Sequence, residues 1–403
     1  MNSSLSGLSL VPRSGKQRRL ARLKGRRKLW LKAHLWLGLG VGLILALAGL
    51  TGSVLVFWQE IDAALNPGLF RVSRAHAAAP QSLDRLIAAA REQAPPGWES
   101  AYTSPPEDAG GNYLFHFYYP EQSPPPEQAE SLTIAIDPYT AALVGKRVFY
   151  HGWNPLKHSF VGFFFKLHYA LFLGKTGATL VGIIAVLLIV SALSGLILWW
   201  PLDGKWKRVL TIKPRASKVR FNHDLHQAAG FYSLIVLLAL LVSGIYFNLS
   251  EEFSWLVERF SPLTPEPAGT PLAEGQPRPP LEQALAKARL RYPGGAAQYY
   301  SFPNRAGGAF TACYKDVDDL RSHVIDFRCL LIDQATGEIL QVRDPAHGSA
   351  GDVFMQWQWP LHSGQAFGWT GRILVFLAGL VCPLLFVTGV IRWLQKRRAR
   401  LLK

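Results

Sequence analysis

Residues 167–177 read LHYALFLGKTG, and residues 361–371 read LHSGQAFGWTG. Leu, His, Gly, Thr and Gly stand in one register, and each stretch opens a long apolar run. From His168 to Gly195 is 27 residues, and from His362 to Gly389 is also 27. Two other runs match each other: His34 is followed by Gly38 and Gly52, and His226 by Gly230 and Gly244, both at +4 and +18. The polar segments between them repeat too. SLDRLIAAAREQAPPG (82–97) parallels PLEQALAKARLRYPGG (280–295), and LTIAIDPYTAALVGK (132–146) parallels RCLLIDQATGEILQV (328–342). Internal similarity at one long period is the mark of duplication. The duplicated unit here is span–domain–span.

The runs at 34–58, 161–200, 221–247 and 361–394 are each long enough to cross a bilayer, which takes about 20 apolar residues. Polar segments at 59–160 and 248–360 alternate with them. The first apolar run is too long for a signal peptide. The formal charge of +16 does not require nucleic acid, because it is clustered. Ten Lys or Arg fall in residues 1–33, seven between Lys205 and Arg220, and six from Arg392 to Lys403. The positive-inside rule places these clusters, hence the loop 201–220 and the tail 395–403, in the cytoplasm. A multi-pass protein of the bacterial inner membrane follows, with both large domains in the periplasm and lipid headgroups near the basic clusters.

Histidine inside a span is costly and functional by default. Two parallel repeats related by an axis along the membrane normal pair equivalent residues at equal depth. His34 and His226 then face each other near one surface, His168 and His362 near the other. Two opposed imidazoles are the axial ligand set of a six-coordinate haem iron, so two b-type haems are expected. In a bilayer core of about 30 Å the irons fall roughly 20 Å apart. Gly38 and Gly230, one turn beyond their histidines, would let a porphyrin lie against the backbone. Zinc would need further ligands. His223 is an alternative to His226, although the repeat register selects His226. No CxxCH occurs, so the haems would be held without thioether links.

Other candidates follow from position. Arg372 and Lys175, just beyond His362 and His168, could neutralise haem propionates or snorkel to the interface. Trp153, Trp357, Trp359, His151 and His347 form a possible acceptor surface, with an aromatic belt and turn residues as the plainer roles. Cys382 reads as a small core residue. Cys313 and Cys329 lie on candidate strands where a disulfide is permitted outside the cytoplasm. The external segments each read as a helix followed by alternating strands, two small α+β domains without a nucleophile–base constellation.

The LHxxxxxGxTG and HxxxG spans, DLHQAAGFY (224–232) and the hairpin IDQATGEIL (332–340) resemble the PepSY-associated transmembrane family. Within it the chain is similar to the FoxB-type inner-membrane siderophore reductases over nearly its whole length. The first hairpin departs from the pattern, with TAALVGK where the second has TGEILQV. That resemblance implies two external PepSY-like domains, two haems and delivery of electrons to a ferric siderophore such as ferrioxamine. Two other readings stand beside it: a di-haem cytochrome between a quinol and a protein partner, and a non-enzymatic sensor or accessory protein. No nucleotide-binding fingerprint names the electron donor, which is a quinol or a cytoplasmic carrier.

Overall fold

The computed structural model describes residues 15–72, 79–106, 108–119, 129–152, 154–202, 204–271, 279–302, 308–315, 327–343 and 348–402. These form helices and one antiparallel sheet. Nine helices position the site: α1 (Gly15–Gly40), α2 (Gly42–Leu55), α3 (Leu83–Gln93), α4 (Phe160–Ala170), α5 (Gly174–Trp199), α6 (Lys218–Asn248), α7 (Leu281–Arg291), α8 (Gln358–Ser363) and α9 (Gly368–Leu401). Helices α5, α6 and α9 are long and apolar enough to cross a bilayer. Helices α1 and α2, bent by 58° where they meet, add a fourth crossing if they act as one. The chain is a membrane protein.

In lipid, helices approach through small residues rather than through a hydrophobic driving force. The contact of α2 with α9 shows this: a Cβ on Gly49 would lie 2.5 Å from the Cβ of Cys382, and one on Gly379 would lie 2.2 Å from Ser53 Oγ. Cys382 is buried in this contact. Leu237 of α6 joins Ala378 and Cys382, with Leu45, Leu240 and Leu385 packed around them, as an apolar layer in the middle of the bundle.

The segment expected to cross from 161 to 200 is broken. Helix α4 ends at Leu171 and Phe172, both in the left-handed region (φ 51° and 58°), and α5 starts at Gly174. The equivalent break separates α8 from α9. Here the shared motif acquires a physical meaning. Gly174 and Gly368 take positive φ (56° and 53°), which side chains resist. Three residues on, a Cβ at Gly177 would fall 1.8 Å from the Ala170 carbonyl oxygen, and one at Gly371 would fall 2.2 Å from that of Gly364. Glycine is required at both places because the chain passes against its own preceding carbonyl.

Eight strands follow the order β4-β3-β2-β1-β5-β6-β7-β8. They are β1 (Glu99–Ser104), β2 (Tyr113–Tyr118), β3 (Ala129–Ile136), β4 (Leu143–His151), β5 (Ala296–Ser301), β6 (Ala309–Lys315), β7 (Phe327–Asp333) and β8 (Ile339–Arg343). The segments 59–160 and 248–360, read from sequence as separate domains, therefore contribute to one continuous sheet. Its seam is β1 against β5, with Tyr102 opposite Ser301 and Thr103 opposite Tyr300. Alternation along the strands turns one face inward: Phe115 and Phe117, Ile134 and Ile136, Phe310 and Ala312, Leu330 and Ile332 are all buried. Helix α3 covers this face with Leu83, Leu86, Ile87 and Ala90, at helical spacing, and α7 does so with Ala284, Leu285 and Ala288. Both helices share a single core. The Asp84 carboxylate of α3 accepts the Leu281 and Glu282 amides at 3.0 and 3.2 Å, capping α7 from the other segment.

The two hairpins turn alike. Asp137 Oδ1 accepts the amides of Tyr139 and Thr140, and Asp333 Oδ1 those of Ala335 and Thr336. Gly337 then takes φ 70°, and Ala141, its counterpart, takes φ 55°. Cys313 and Cys329 stand opposite each other on β6 and β7 and are joined by a disulfide.

Candidate functional site

The four histidines named from the sequence come together as two pairs. His34 on α1 and His226 on α6 have ring centroids 6.2 Å apart, at the end of the bundle far from the sheet. His168 on α4 and His362 on α8 have centroids 5.9 Å apart, at the end nearest the sheet. Within each pair the rings are steeply inclined, by 79° and 71°.

Each imidazole is fixed from a neighbouring helix by one recurring device. His168 Nδ1 lies 2.9 Å from the Ala48 carbonyl and 3.1 Å from Thr51 Oγ1. His34 Nδ1 lies 2.9 Å from the Ser191 carbonyl and 3.2 Å from Ser194 Oγ. His226 Nδ1 meets Thr388 Oγ1 at 2.8 Å, and His362 Nδ1 meets Ser243 Oγ at 2.8 Å. The tautomer follows. A carbonyl only accepts, so Nδ1 of His34 and His168 carries the proton. The hydroxyls of Thr388 and Ser243 already donate to the Leu384 and Ala239 carbonyls at 2.6 and 2.7 Å, so they too accept from Nδ1–H. All four rings keep an unprotonated Nε2 lone pair to offer a metal.

Directly after each hydroxyl stands a glycine. A Cβ on Gly52 or Gly195 would come within 3.0 Å of the His168 or His34 Cε1, and one on Gly389 within 3.5 Å of His226 Cε1. Gly244 lies under His362 at 3.9 Å. Thr51, Ser194, Ser243 and Thr388 were not among the residues singled out from sequence. Their signal was present: each apolar run carries one Thr-Gly or Ser-Gly at the register glycine.

The other candidates separate. Gly38 has open space where a Cβ would be, and Gly230 faces Leu385 at 3.6 Å. His223 is not part of the distal pair; its Nδ1 lies 3.6 Å from Asp224 Oδ1, and Asp224 is held by Arg220. Arg372 is engaged by Glu60 at 2.5 Å and by the Val56 carbonyl at 2.9 Å, stacked on Phe57 and Trp369. Lys175 is exposed at the start of α5. Trp359 and His362 line a cavity of about 320 Å³ with His168, Gly52, Gly244 and Trp58. Trp357 packs near Phe367 instead. His151 is buried at the end of β4, its amide donating to His158 Nδ1, so it does not line a surface. Trp153 and His347 lie outside the described residues. Two residues before His168, Lys166 is buried in an ion pair with Glu130 and sits over the Tyr150 and Tyr169 rings, tying α4 to the sheet.

A family model described as PepSY-associated TM region matches residues 31–396, which takes in both histidine pairs and the whole sheet. The chain belongs to this family. No curated protein matches it.

Proposed function

We propose that the chain is a di-haem b oxidoreductase of the bacterial inner membrane. In this reading it passes electrons outward to a periplasmic ferric siderophore of the ferrioxamine class, releasing Fe(II) for uptake. The observation that carries it is the pairing itself: at each end of an apolar bundle two Nδ1-protonated histidines face each other, with centroids 6.2 and 5.9 Å apart.

The residues fit the group. A metal about 2 Å from each of two imidazole nitrogens sets their centroids roughly 6 Å apart. Two imidazoles leave a metal's remaining positions to ligands of its own, which the four ring nitrogens of a porphyrin supply. Beside the sheet-proximal pair, the apolar cavity of about 320 Å³ falls in the usual range for cofactor sites, about 300–1,000 Å³. Haem held between each pair of histidines would supply a one-electron carrier at that level.

The chain's own residues do the rest. The hydroxyls fix tautomer and ring angle. The Leu237, Ala378 and Cys382 layer keeps water and ions out of the middle. Ser243, the partner of His362, lies seventeen residues beyond His226 on α6, a rise of about 26 Å. That is somewhat more than the roughly 20 Å expected from bilayer thickness alone. Electrons then cross while the substrate stays outside.

This reading takes α1 and α2 as one span, giving four spans in two parallel repeats. The basic clusters lie in the cytoplasm and the sheet in the periplasm, where the Cys313–Cys329 disulfide is chemically at home. Trp359 lines the outer cavity and is exposed, so it offers an aromatic face for acceptor docking. Hydroxamate oxygens hold the hard ferric ion better than the ferrous ion, so reduction loosens the chelate. The test is ferrozine-trapped Fe(II) after mixing pre-reduced, reductant-free protein with ferrioxamine. Release in proportion to the protein's stored electrons is expected; none, from haem-loaded protein, refutes this substrate.

A further inference from the structure

A second pocket, of about 490 Å³, opens at the far end of the bundle from the sheet, where α6 begins and α9 ends. Phe221, Ile391 and Pro214 give it apolar walls; Asn222, Gln395 and Lys218 give it polar groups. Asn222 is buried, and its Nδ2 donates to the Thr388 carbonyl at 2.9 Å, while Thr388 Oγ1 accepts from His226 at 2.8 Å. The pocket floor is thus bonded to the residue that orients a distal-pair histidine. Gln395 Oε1 is buried without a hydrogen-bond partner. Lys218 is exposed, as are Lys213 and Arg215 on either side of Pro214.

We propose that this pocket binds a planar, anionic, reduced cofactor, free flavin mononucleotide in its hydroquinone form, as the electron donor. The inference rests on the haem reading above. Three properties of the pocket select the chemistry. Apolar walls with an amide on each of two helices suit a flat ring bearing carbonyl and N–H groups. The cationic rim suits a phosphate. A haem held by both His34 and His226 would take electrons one at a time and accept no hydride, which suits a dihydroflavin and not a reduced nicotinamide. A quinol also releases electrons singly but carries no charge to use the rim.

The step balances. The flavin hydroquinone gives two electrons, one at a time, and two protons, becoming oxidised flavin. The protons leave to water through the open mouth of the pocket. His34 and His226 would hold the haem that takes these electrons, and its ferric iron would serve as the one-electron oxidant for each.

The test uses full-length protein in detergent, with oxidised flavin mononucleotide as the probe and its fluorescence anisotropy as the readout. Saturable binding is expected, weakened at least tenfold by Lys218→Glu and by Gln395→Leu, each at unchanged haem content. Absent binding, or equal binding in both variants, overturns the proposal. Stopped-flow reduction by the dihydroflavin should slow in the same variants, whereas reduction by a short-chain quinol alone, unaffected by Lys218→Glu, also overturns it. Haem content is assayed separately. Flavin binding to protein that takes up no haem would sink the haem reading while leaving the binding site in place.

Discussion

His226 Nδ1 donates to Thr388 Oγ1 across 2.8 Å, and the threonine's own proton is committed to the Leu384 carbonyl at 2.6 Å. The hydroxyl is therefore a dedicated acceptor. Such outer partners are commonly worth 10–100-fold in metal affinity. Thr388→Val should weaken haem retention at the distal pair by about that factor, Thr388→Ser should restore it, and the sheet-proximal pair should be unaffected in both. The measurement is haem transfer to an apo-haem scavenger, followed by the loss of one of the two spectral components.

Ala141 holds φ 55° where its counterpart Gly337 holds φ 70°. A left-handed residue with a Cβ costs roughly 1–2 kcal/mol. Ala141→Gly should stabilise the eight-stranded sheet by about 1 kcal/mol, and Gly337→Ala should destabilise it by a similar amount. Denaturant midpoints in detergent check both signs.

The Cys313–Cys329 disulfide closes a separation of 16 residues. A loop of that size contributes about 3 kcal/mol in the chain-entropy account. The double Cys→Ala variant, or reduction of the wild type, should lower sheet stability by about this amount and leave haem content unchanged.

His116 is buried on β2, stacked on Tyr102 with centroids 4.3 Å apart. Burial, reinforced by the Arg147 charge, pushes its imidazole down to about 3. Unfolded histidine titrates near 6.5. Between these values the unfolded chain binds a proton that the folded chain refuses, so stability falls as pH drops from about 6.5 toward 3. His116→Phe keeps a ring in place and should remove this residue's share of the loss between pH 7 and pH 5, above the range where carboxylates titrate; His158, pushed down to about 4 by burial, contributes a further share.

Much of this was legible in the sequence because it depends on spacing. Equal offsets from histidine to glycine paired the four histidines as the structure brings them together, and alternation marked strands that the structure places at Tyr113–Tyr118 and Phe327–Asp333. What depends on contacts distant along the chain was not legible. The β1–β5 seam joins strands nearly two hundred residues apart, and nothing local distinguishes two small sheets from one. The break before α5 is set by left-handed Leu171 and Phe172, residues with no turn preference. Arg372 looked available to an anionic group, but Glu60, on a different segment, takes it. Thr51, Ser194, Ser243 and Thr388 passed as ordinary small residues because each serves a histidine on another helix.

The most direct test of the two-level account is a pyridine haemochromogen assay on detergent-purified protein beside His34→Ala and His168→Ala. About two b-type haems per chain are expected, falling toward one in each variant, with the distal component lost in the first and the sheet-proximal component in the second. Well-folded protein that takes up no haem, even after reconstitution, would contradict the account.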